Sequence, residues 1–424
     1  MYIIQQSLFD FEKFIVTVKE EERLVIVLEG LDTEKLLATL ERERWTGRKG
    51  YSVRGMWAGL IAGVVYQCPT LAGVVRLLKG NRGVREVCGF AKDKIPSEDA
   101  MGRFLCKLAS HERELEECFE GLVERLRQLI PGCGKKLVAD STDIIAWSNG
   151  HRRKPSDTDA KWGTKNASHH IIKVAGDKKE GKKQDLYRWF GYKLHLLTDA
   201  LSELPVSFVL TPANAADTVE LPPLLEKAKL KRPEAKPEVV ITDKGYDSKN
   251  NNELIYKEYK AIPIIPIRER EGAQQTDICN AKGTPTCGSG LEMVYWGRDG
   301  NYLKYRCPRV LGKGVCKYLS PCTASAYGYV YKLPIADDVR RHPPVPRETR
   351  KWARLYKLRT SIERVNGRLK DYLGLRRITV RGIVKVTVRT LLSLLVMVAT
   401  AIGMAQRDRL KEVRTLVGWS VRPL

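Results

Sequence analysis

The chain is most constrained by one segment, Tyr356 to Lys370, which reads YKLRTSIERVNGRLK. At about 100° per residue on an α-helix, one narrow arc of the surface would hold Tyr356, Arg359, Glu363 and Lys370. Glu363 is the only acid from Thr349 to Lys370, where eight residues are Lys or Arg. One interpretation of the isolated acid is a solvated helix with an Arg359–Glu363 pair. Such a pair stabilises a helix by only about 0.2–0.5 kcal/mol, so it accounts poorly for the pattern. The alternative is a metal-ligand carboxylate beside phosphate-binding cations.

The spacing Y-x2-R-x3-E-x6-K resembles the signature helix of bacterial insertion-sequence DDE transposases. The resemblance implies a ribonuclease-H-like fold in which Glu363 is the third acid of a two-metal nuclease site. It places the first two acids at Asp140 in ADST and Asp243 in TDKGYDS, each directly after apolar β residues. Acids at strand ends are also common as turn or cap residues. Asp143 and Asp247 are competing assignments for these two acids and rank second, since Asp247 is also well placed as the N-cap of the helix that follows it.

The charge of the chain favours a polyanionic partner. Its 424 residues contain 74 Lys and Arg against 50 Asp and Glu, a formal charge of +24. Charge of this size attracts phosphate backbones before any specific contact forms. The N-terminus carries Asp10 and Glu12 and does not resemble a secretory signal, so a cytoplasmic, nucleoid-associated protein is expected. The uncharged segment Leu391 to Ala405 is shorter than the roughly 20 residues that span a bilayer, which predicts a buried core helix and no membrane.

Start and stop signals predict a helical first region. Thr70 and Ser97 stand where helix N-caps are expected, and Pro131-Gly132 ends a periodic helical pattern. The run from Gly47 to Leu108 resembles the N-terminal domain of the same transposases, which implies binding to transposon ends. A helical bundle that only supports the catalytic domain is the alternative.

Strands and helices alternate further along the chain, which predicts an α/β catalytic core. About 120 residues separate Asp243 from Glu363, more than one connection needs, so a small β insertion domain is expected between them. Its hairpin should turn at Asp299-Gly300. The predicted segments are a helical domain at 1–130, the ribonuclease-H-like core at 134–268 and 347–405, the insertion at 269–346 and a basic tail at 406–424.

The insertion contains a cluster of cysteines. Four thiolates could hold a structural Zn²⁺ ion, since a segment this small has little core of its own; they are Cys287, Cys307, Cys316 and Cys322. Their spacing lacks paired CxxC knuckles, and Cys279 is a spare candidate. Reduced structural cysteines are the default interpretation.

Other side chains are candidates for contact with DNA. Tyr356, Arg359 and Lys370 share the predicted face with Glu363. Trp162 lies in a basic, aromatic-rich segment suited to backbone contact and base stacking, although a solvated loop is also consistent with that composition. Resemblance to family segments makes His195, Asn214 and Asp217 candidates for supporting the acids, while His195 could equally be a satisfied core histidine.

Three carboxylates at one site need cations between them, and oxygen ligands select Mg²⁺ or Mn²⁺. Two such ions would serve Asp140, Asp243 and Glu363. The resemblance therefore implies a DDE transposase that cleaves double-stranded DNA at transposon ends and transfers the strands to target DNA, with a homodimer in the synaptic complex. Two rivals remain: a resolvase-type nuclease of the same fold, and a catalytically silent DNA-binding derivative.

Overall fold

A computed structural model describes most of the chain, namely residues 20–43, 50–166, 186–229, 236–268, 279–280, 283–318, 320, 322–335 and 337–414. The chain forms two compact units. The helical unit comprises the described residues of Met1–Ile130, Ile144–Lys161 and Gly367–Leu424, and the sheet unit comprises those of Pro131–Asp143 and Trp162–Asn366. The five segments predicted from the sequence stay a prediction.

The helical unit contains seven described helices from its first segment and one from its last. They are α1 Glu20–Gly30, α2 Glu34–Arg42, α3 Val53–Val65, α4 Leu71–Gly80, α5 Arg82–Val87, α6 Glu98–Ala109, α7 Glu112–Leu129 and α12 Ile383–Ala405. Thr70 and Ser97 cap α4 and α6, accepting from the backbone N–H groups of Gly73 and Ala100 as predicted. Helix α7 ends just before Pro131, also as predicted.

Helix α12 is the core of the helical unit. It packs against α7 and α1, and its residues from Leu391 to Met404 are buried without exception. The helix is long and apolar enough to cross a membrane, but 94% of its most apolar window is covered by the rest of the protein. The predicted buried core helix is confirmed. Its first turn is capped by Asp157 and Asp159, which accept from the N–H groups of Gly382 and Ile383 at 3.2 and 2.9 Å.

The sheet unit is built on a six-stranded sheet. Its strands are β1 Lys136–Ile145, β2 Lys161–Asn166, β3 Leu186–Asp199, β4 Pro205–Pro212, β5 Val239–Thr242 and β6 Ile262–Ile264. The order is β2-β3-β1-β5-β6, with β4 also paired to β3. Strands β1, β5 and β6 are parallel, whereas β3 and β4 form an antiparallel hairpin. The predicted α/β class is confirmed.

Four short or medium helices accompany this sheet. They are α8 Asp217–Lys229, α9 Lys249–Glu253, α10 Arg350–Tyr356 and α11 Thr360–Asp371. Helix α8 precedes β5 along the chain. Helix α11 carries Glu363 and continues past the residue at which the two units divide.

The insertion forms a separate three-stranded antiparallel sheet. Its strands are β7 Val294–Asp299, β8 Tyr302–Arg306 and β9 Val330–Pro334, in the order β7-β8-β9. The hairpin turns at Asp299-Gly300 as predicted, and Gly300 has the positive φ of 57° that a tight turn needs. A small apolar core of its own includes Leu303 and Tyr305. Residues 269–278, where the insertion was predicted to begin, lie outside the described part of the chain.

Two local predictions are wrong. The segment from Tyr356 to Lys370 is not one α-helix, because a 3₁₀ turn at Lys357–Arg359 separates α10 from α11. A 3₁₀ turn advances about 120° per residue, so the four signature residues do not lie on the single face that a uniform helix would give. The N-cap of α9 is Ser248 and not Asp247.

Asp247 instead forms a buried ion pair. Its carboxylate accepts from Arg340 Nε and Nη2 at 3.0 and 2.7 Å and from the N–H of Arg268 at 2.8 Å. The Asp247 side chain is fully buried, and Arg340 is 22% exposed. This pair fastens the chain that returns from the insertion to the turn after β5.

Replacing Asp247 with Ala should lower the free energy of unfolding by about 3–5 kcal/mol, because it leaves a mostly buried guanidinium without its partner. Urea denaturation of the purified protein measures this. Lys332→Ala is the control, since it breaks an exposed pair with Asp299 and should cost at most about 1 kcal/mol. Equal losses in the two variants would contradict the structural role of Asp247.

Candidate active site

Asp140 and Asp243 meet at one edge of the sheet. The parallel pairing of β1 with β5 runs from Lys136 opposite Val239 to Ala139 opposite Thr242. Asp140, still within β1, and Asp243, which directly follows β5, come next after the last pair. Strand β1 itself continues to Ile145, so Asp140 marks the end of its pairing with β5 and not the end of the strand. Neighbouring parallel strands therefore bring the two carboxylates together.

The local backbone holds both carboxylates. Asp140 Oδ1 accepts from the N–H of Ser141 at 2.8 Å. Asp243 Oδ1 accepts from the N–H of Gly245 at 2.8 Å and so caps the short 3₁₀ turn Lys244–Tyr246. A methyl group on Gly245 would lie 2.9 Å from that oxygen, closer than such contacts allow. Asp243 is thus a turn cap as well as a candidate catalytic acid.

Arg359 links Asp140 to the third acid. Its Nη2 lies 2.5 Å from Glu363 Oε1, and its Nη1 lies 3.5 Å from Asp140 Oδ2. The i,i+4 pair is therefore present, but Arg359 also reaches across to β1. Glu363 remains 52% exposed and Asp140 only 18%. The Arg359 guanidinium therefore offsets part of the negative charge of both Asp140 and Glu363.

Tyr356 lies beside the same groups. Burial raises the pKa of its phenol; Arg359 opposes the shift, and the Asp243 and Asp140 carboxylates add to it. Its ring stacks on Trp352 with 4.8 Å between ring centroids. The tyrosine of the signature therefore borders the acids, although the helix is interrupted after it.

A fourth carboxylate, Asp217, stands close to Asp243. It begins helix α8, and its Oδ2 lies 3.2 Å from the position that a methyl group on Gly245 would take. Lys193 Nζ lies 3.2 Å from Asp217 Oδ1 and donates to the carbonyl of Ala215 at 2.8 Å. Asp217 was predicted as a supporting group, whereas Lys193 was not, although it lies two residues before the candidate His195.

His195 is a satisfied core histidine. It is fully buried, with Nε2 3.1 Å from Thr211 Oγ1 and Nδ1 3.4 Å from the hydroxyl of Tyr246. Burial lowers its pKa to about 4, so the ring is neutral near pH 7, with Asp217 opposing that shift. Tyr246, which the sequence analysis missed, is also completely buried. Asn214 is exposed.

The electrostatics of the site favour a bound cation. Burial, followed by the charge of Asp243, raises the pKa of Asp140 to about 7. Burial also raises the pKa of Asp243, and the charge of Asp217 adds to the shift. Two partly buried carboxylates that lie close together ionise together only when positive charge offsets their repulsion.

The donor set fits a hard divalent cation, because carboxylate oxygens are the ligands that Mg²⁺ and Mn²⁺ prefer. Within the described residues, no three His, Cys, Asp or Glu side chains converge closely enough to hold a metal ion as they stand. That statement covers the cysteines of the insertion as well. Cys307 is buried, Cys287 and Cys316 are half-buried and Cys322 is exposed, so the zinc site stays a prediction.

The competing and more distant candidates have other partners. Asp143 pairs with Lys165 at 2.8 Å. Trp162 is half-buried in β2, 5.6 Å from the ring of Phe190 and 5.6 Å from the guanidinium of Arg188. Lys370 is half-buried in the last turn of α11, two turns beyond Glu363. The DNA-binding roles of Trp162 and Lys370 stay predictions.

Comparison with known proteins connects this geometry to a family. Residues 131–399 match the family described as transposase DDE domain. Among solved structures, the chain is similar to the piggyBac transposase synaptic complex with hairpin DNA, at 10% sequence identity and a TM-score of 0.39. That alignment covers 93% of this chain and 78% of the other. A search of curated proteins found no match.

The raised pKa of Asp140 predicts that ionising this carboxyl destabilises the folded protein at high pH, and that an Asn substitution removes this destabilisation. The folded protein holds a proton on this carboxyl up to about pH 7, whereas the unfolded chain releases it near pH 3.8. The stability due to the protonated group is complete below about pH 4 and is lost as the pH rises through 7. Without divalent ions, Asp140→Asn should therefore be more stable than the natural protein at pH 8, by up to about 4 kcal/mol.

Thermal melts in chelator at pH 5 and pH 8 measure this effect. The advantage of Asp140→Asn should shrink at pH 5, where less of the natural carboxyl is ionised. Asp143→Asn, on the same strand, should show no such gain, because it removes an ion pair with Lys165. An Asp140→Asn protein that is no more stable at pH 8 would contradict the electrostatic argument.

Proposed function

We propose, on the premise that the chain belongs to the transposase DDE domain family, that Asp140, Asp243 and Glu363 are the ligands of its catalytic metal ions. As a member of this family the chain is a DNA-cleaving and strand-transferring enzyme. The observation that carries the proposal is the meeting of Asp140 and Asp243 where the parallel pairing of β1 with β5 ends, with Arg359 joining Asp140 to Glu363.

Two Mg²⁺ or Mn²⁺ ions are the proposed cofactors. Bound ions would activate the attacking oxygen and stabilise the leaving oxygen when a phosphodiester is cut or joined. Asp140 and Asp243, which are partly buried and have raised pKa values, favour cation binding because a cation permits both to ionise. Glu363, half-exposed on α11 and paired with Arg359, is the proposed third ligand.

The cations of the site have separate proposed tasks. Arg359 is 24% exposed and lies against two of the acids, so it can donate to a phosphate that enters there. Lys193 is only 12% exposed and is held by Asp217 and the Ala215 carbonyl, which suits a fixed charge behind the site. Tyr356 borders the acids and is a candidate for contact with the DNA backbone.

Substrate and assembly follow as further parts of the proposal. The net charge of +24 supports double-stranded DNA as the partner, with transposon ends and target DNA as the two substrates. A homodimer in the synaptic complex, a cytoplasmic and nucleoid-associated location and a structural Zn²⁺ in the insertion are proposed from the sequence alone. A resolvase-type nuclease and a silent DNA-binding derivative are the less favoured alternatives, since the family is that of transposases and all three acids are present.

Substitution of the three acids tests the proposal. Asp140→Asn, Asp243→Asn and Glu363→Gln keep the side-chain shape but remove charge that bound cations need, so cleavage of transposon-end DNA should fall by orders of magnitude. Binding to the same DNA should survive. Cleavage with Mg²⁺ or Mn²⁺, end binding and melting temperature are measured for each protein, with Asp143→Asn as the matched control on β1.

Two results would overturn this assignment. Near-normal cleavage by a folded Glu363→Gln protein would remove α11 from the site. A loss of cleavage in Asp143→Asn equal to that in Asp140→Asn would mean that the assay reports the state of β1 and not a metal ligand.

Lys370 is proposed to contact a DNA phosphate without reading sequence. Lys370→Gln should weaken binding to all DNA sequences alike and reduce the slope of log affinity against log salt by about one unit. Lys249→Gln removes the same charge from an exposed residue that pairs with Glu253 and should leave the slope nearly unchanged. A new sequence preference at an unchanged slope would count against a phosphate contact.

A further inference from the structure

We infer that the ion pair between Glu203 and Arg364 is a positioning device for Glu363, a role that rests on the function proposed above. Arg364 directly follows Glu363 on α11. Its Nε and Nη2 both donate to Glu203 Oε1, at 2.8 and 2.6 Å. Glu203 lies in the turn between β3 and β4, so the pair ties the helix that carries the third acid to the catalytic sheet.

The two partners differ in exposure. The Glu203 side chain is only 8% exposed, whereas that of Arg364 is 56% exposed. The nearly buried Glu203 carboxylate is therefore a fixed acceptor, and the exposed Arg364 attaches helix α11 to it. The sheet therefore sets the position of Glu203. Glu203 in turn sets the rotation of α11 about its axis.

The backbone at Glu203 is unusual. Its φ is +55°, in the left-handed region where glycine is favoured and a side chain is strained. A long side chain at such a position goes against the local backbone preference, and strain of this kind clusters at functional sites. The feature that glycine would lack is the carboxylate that holds Arg364.

The turn that carries Glu203 is rigid. The buried Asp199 carboxylate accepts from the N–H groups of Gly134, Leu201 and Ser202 and from the Ser202 hydroxyl. The N–H of Glu203 donates to the Asp199 carbonyl at 2.9 Å. The N–H of Ala200 donates to the carbonyl of Lys136, the first residue of β1. Glu203 is therefore fixed relative to the strand that carries Asp140.

Helix α11 needs such a reference point. It begins directly after the 3₁₀ turn Lys357–Arg359, where a change between helix types alters the rotation of everything that follows. Ile362 and Val365 are fully buried and hold one face of the helix in the core. Arg364 fixes the rotation of the helix on its exposed side. Glu363 is thereby held against Arg359, which also contacts Asp140.

The experiment compares metal affinity with stability. Arg364→Ala and Glu203→Gly both remove the pair, and the glycine also relieves the backbone strain. Arg376→Ala is the control, because it breaks an exposed pair with Asp371 at the far end of the same helix. Each full-length protein is examined for melting temperature, end binding, Mn²⁺ affinity by calorimetry and cleavage against Mn²⁺ concentration.

Groups that orient a metal ligand typically change metal affinity by about 10–100-fold when removed. Arg364→Ala and Glu203→Gly should therefore need about tenfold more Mn²⁺ for half-maximal binding and cleavage, with end binding unchanged. Arg364→Lys, which keeps the charge, should recover part of the affinity. Glu203→Gly should keep its melting temperature, because the relieved backbone strain offsets the lost ion pair. An ion pair that served stability alone would not combine an unchanged melting temperature with weaker Mn²⁺ binding.

Failure of this inference is distinct from failure of the proposed function. Unchanged Mn²⁺ dependence in Arg364→Ala and Glu203→Gly, beside an inactive Glu363→Gln, would overturn the inference alone. A lowered melting temperature with normal Mn²⁺ affinity would assign the pair to stability and also overturn it. Full cleavage by Glu363→Gln would overturn the proposed function itself.

Discussion

The candidate site depends on the cost of bringing carboxylates together at the edge of a buried sheet. Asp140 and Asp243 follow paired strands into a region where burial raises both pKa values, and Asp217 adds a third charge nearby. Two cations offset part of this cost: Arg359 lies against Asp140 and Lys193 against Asp217. The arrangement is electrostatically unfavourable by itself and becomes favourable with bound positive charge, as expected of a metal-dependent nuclease site.

The scaffold keeps these charges from relaxing away from one another. Four successive parallel pairs hold β1 beside β5, and the β3–β4 turn is locked to the start of β1 through Asp199. Behind the acids, neutral His195 and buried Tyr246 fill the interior without adding charge. The long apolar helix α12 stabilises the helical unit separately. The strand pairing and the turn therefore hold the acids in place against their mutual repulsion.

The insertion lengthens the chain between the second and third acids without disturbing the sheet. It has its own three strands and a small apolar core, and a buried Asp247–Arg340 pair fastens its return path. A self-contained insertion tolerates a long sequence separation because the cost of closing a loop grows slowly with its length. Glu363 thus shares Arg359 with Asp140 although it lies 120 residues beyond Asp243 along the chain.

The sequence by itself determined the α/β class, the strands that carry Asp140 and Asp243 and the helix that carries Glu363, because apolar patterns and turn residues act over short stretches of chain. Only the tertiary structure decided which side chains meet. The bond from Arg340 to Asp247 joins residues 93 positions apart, and that from Arg364 to Glu203 joins residues 161 apart. The 3₁₀ turn before α11 was also not predicted from the sequence, since a uniform helical periodicity does not indicate a local change from α-helix to 3₁₀-helix. Such contacts depend on how whole elements pack, which no local pattern specifies.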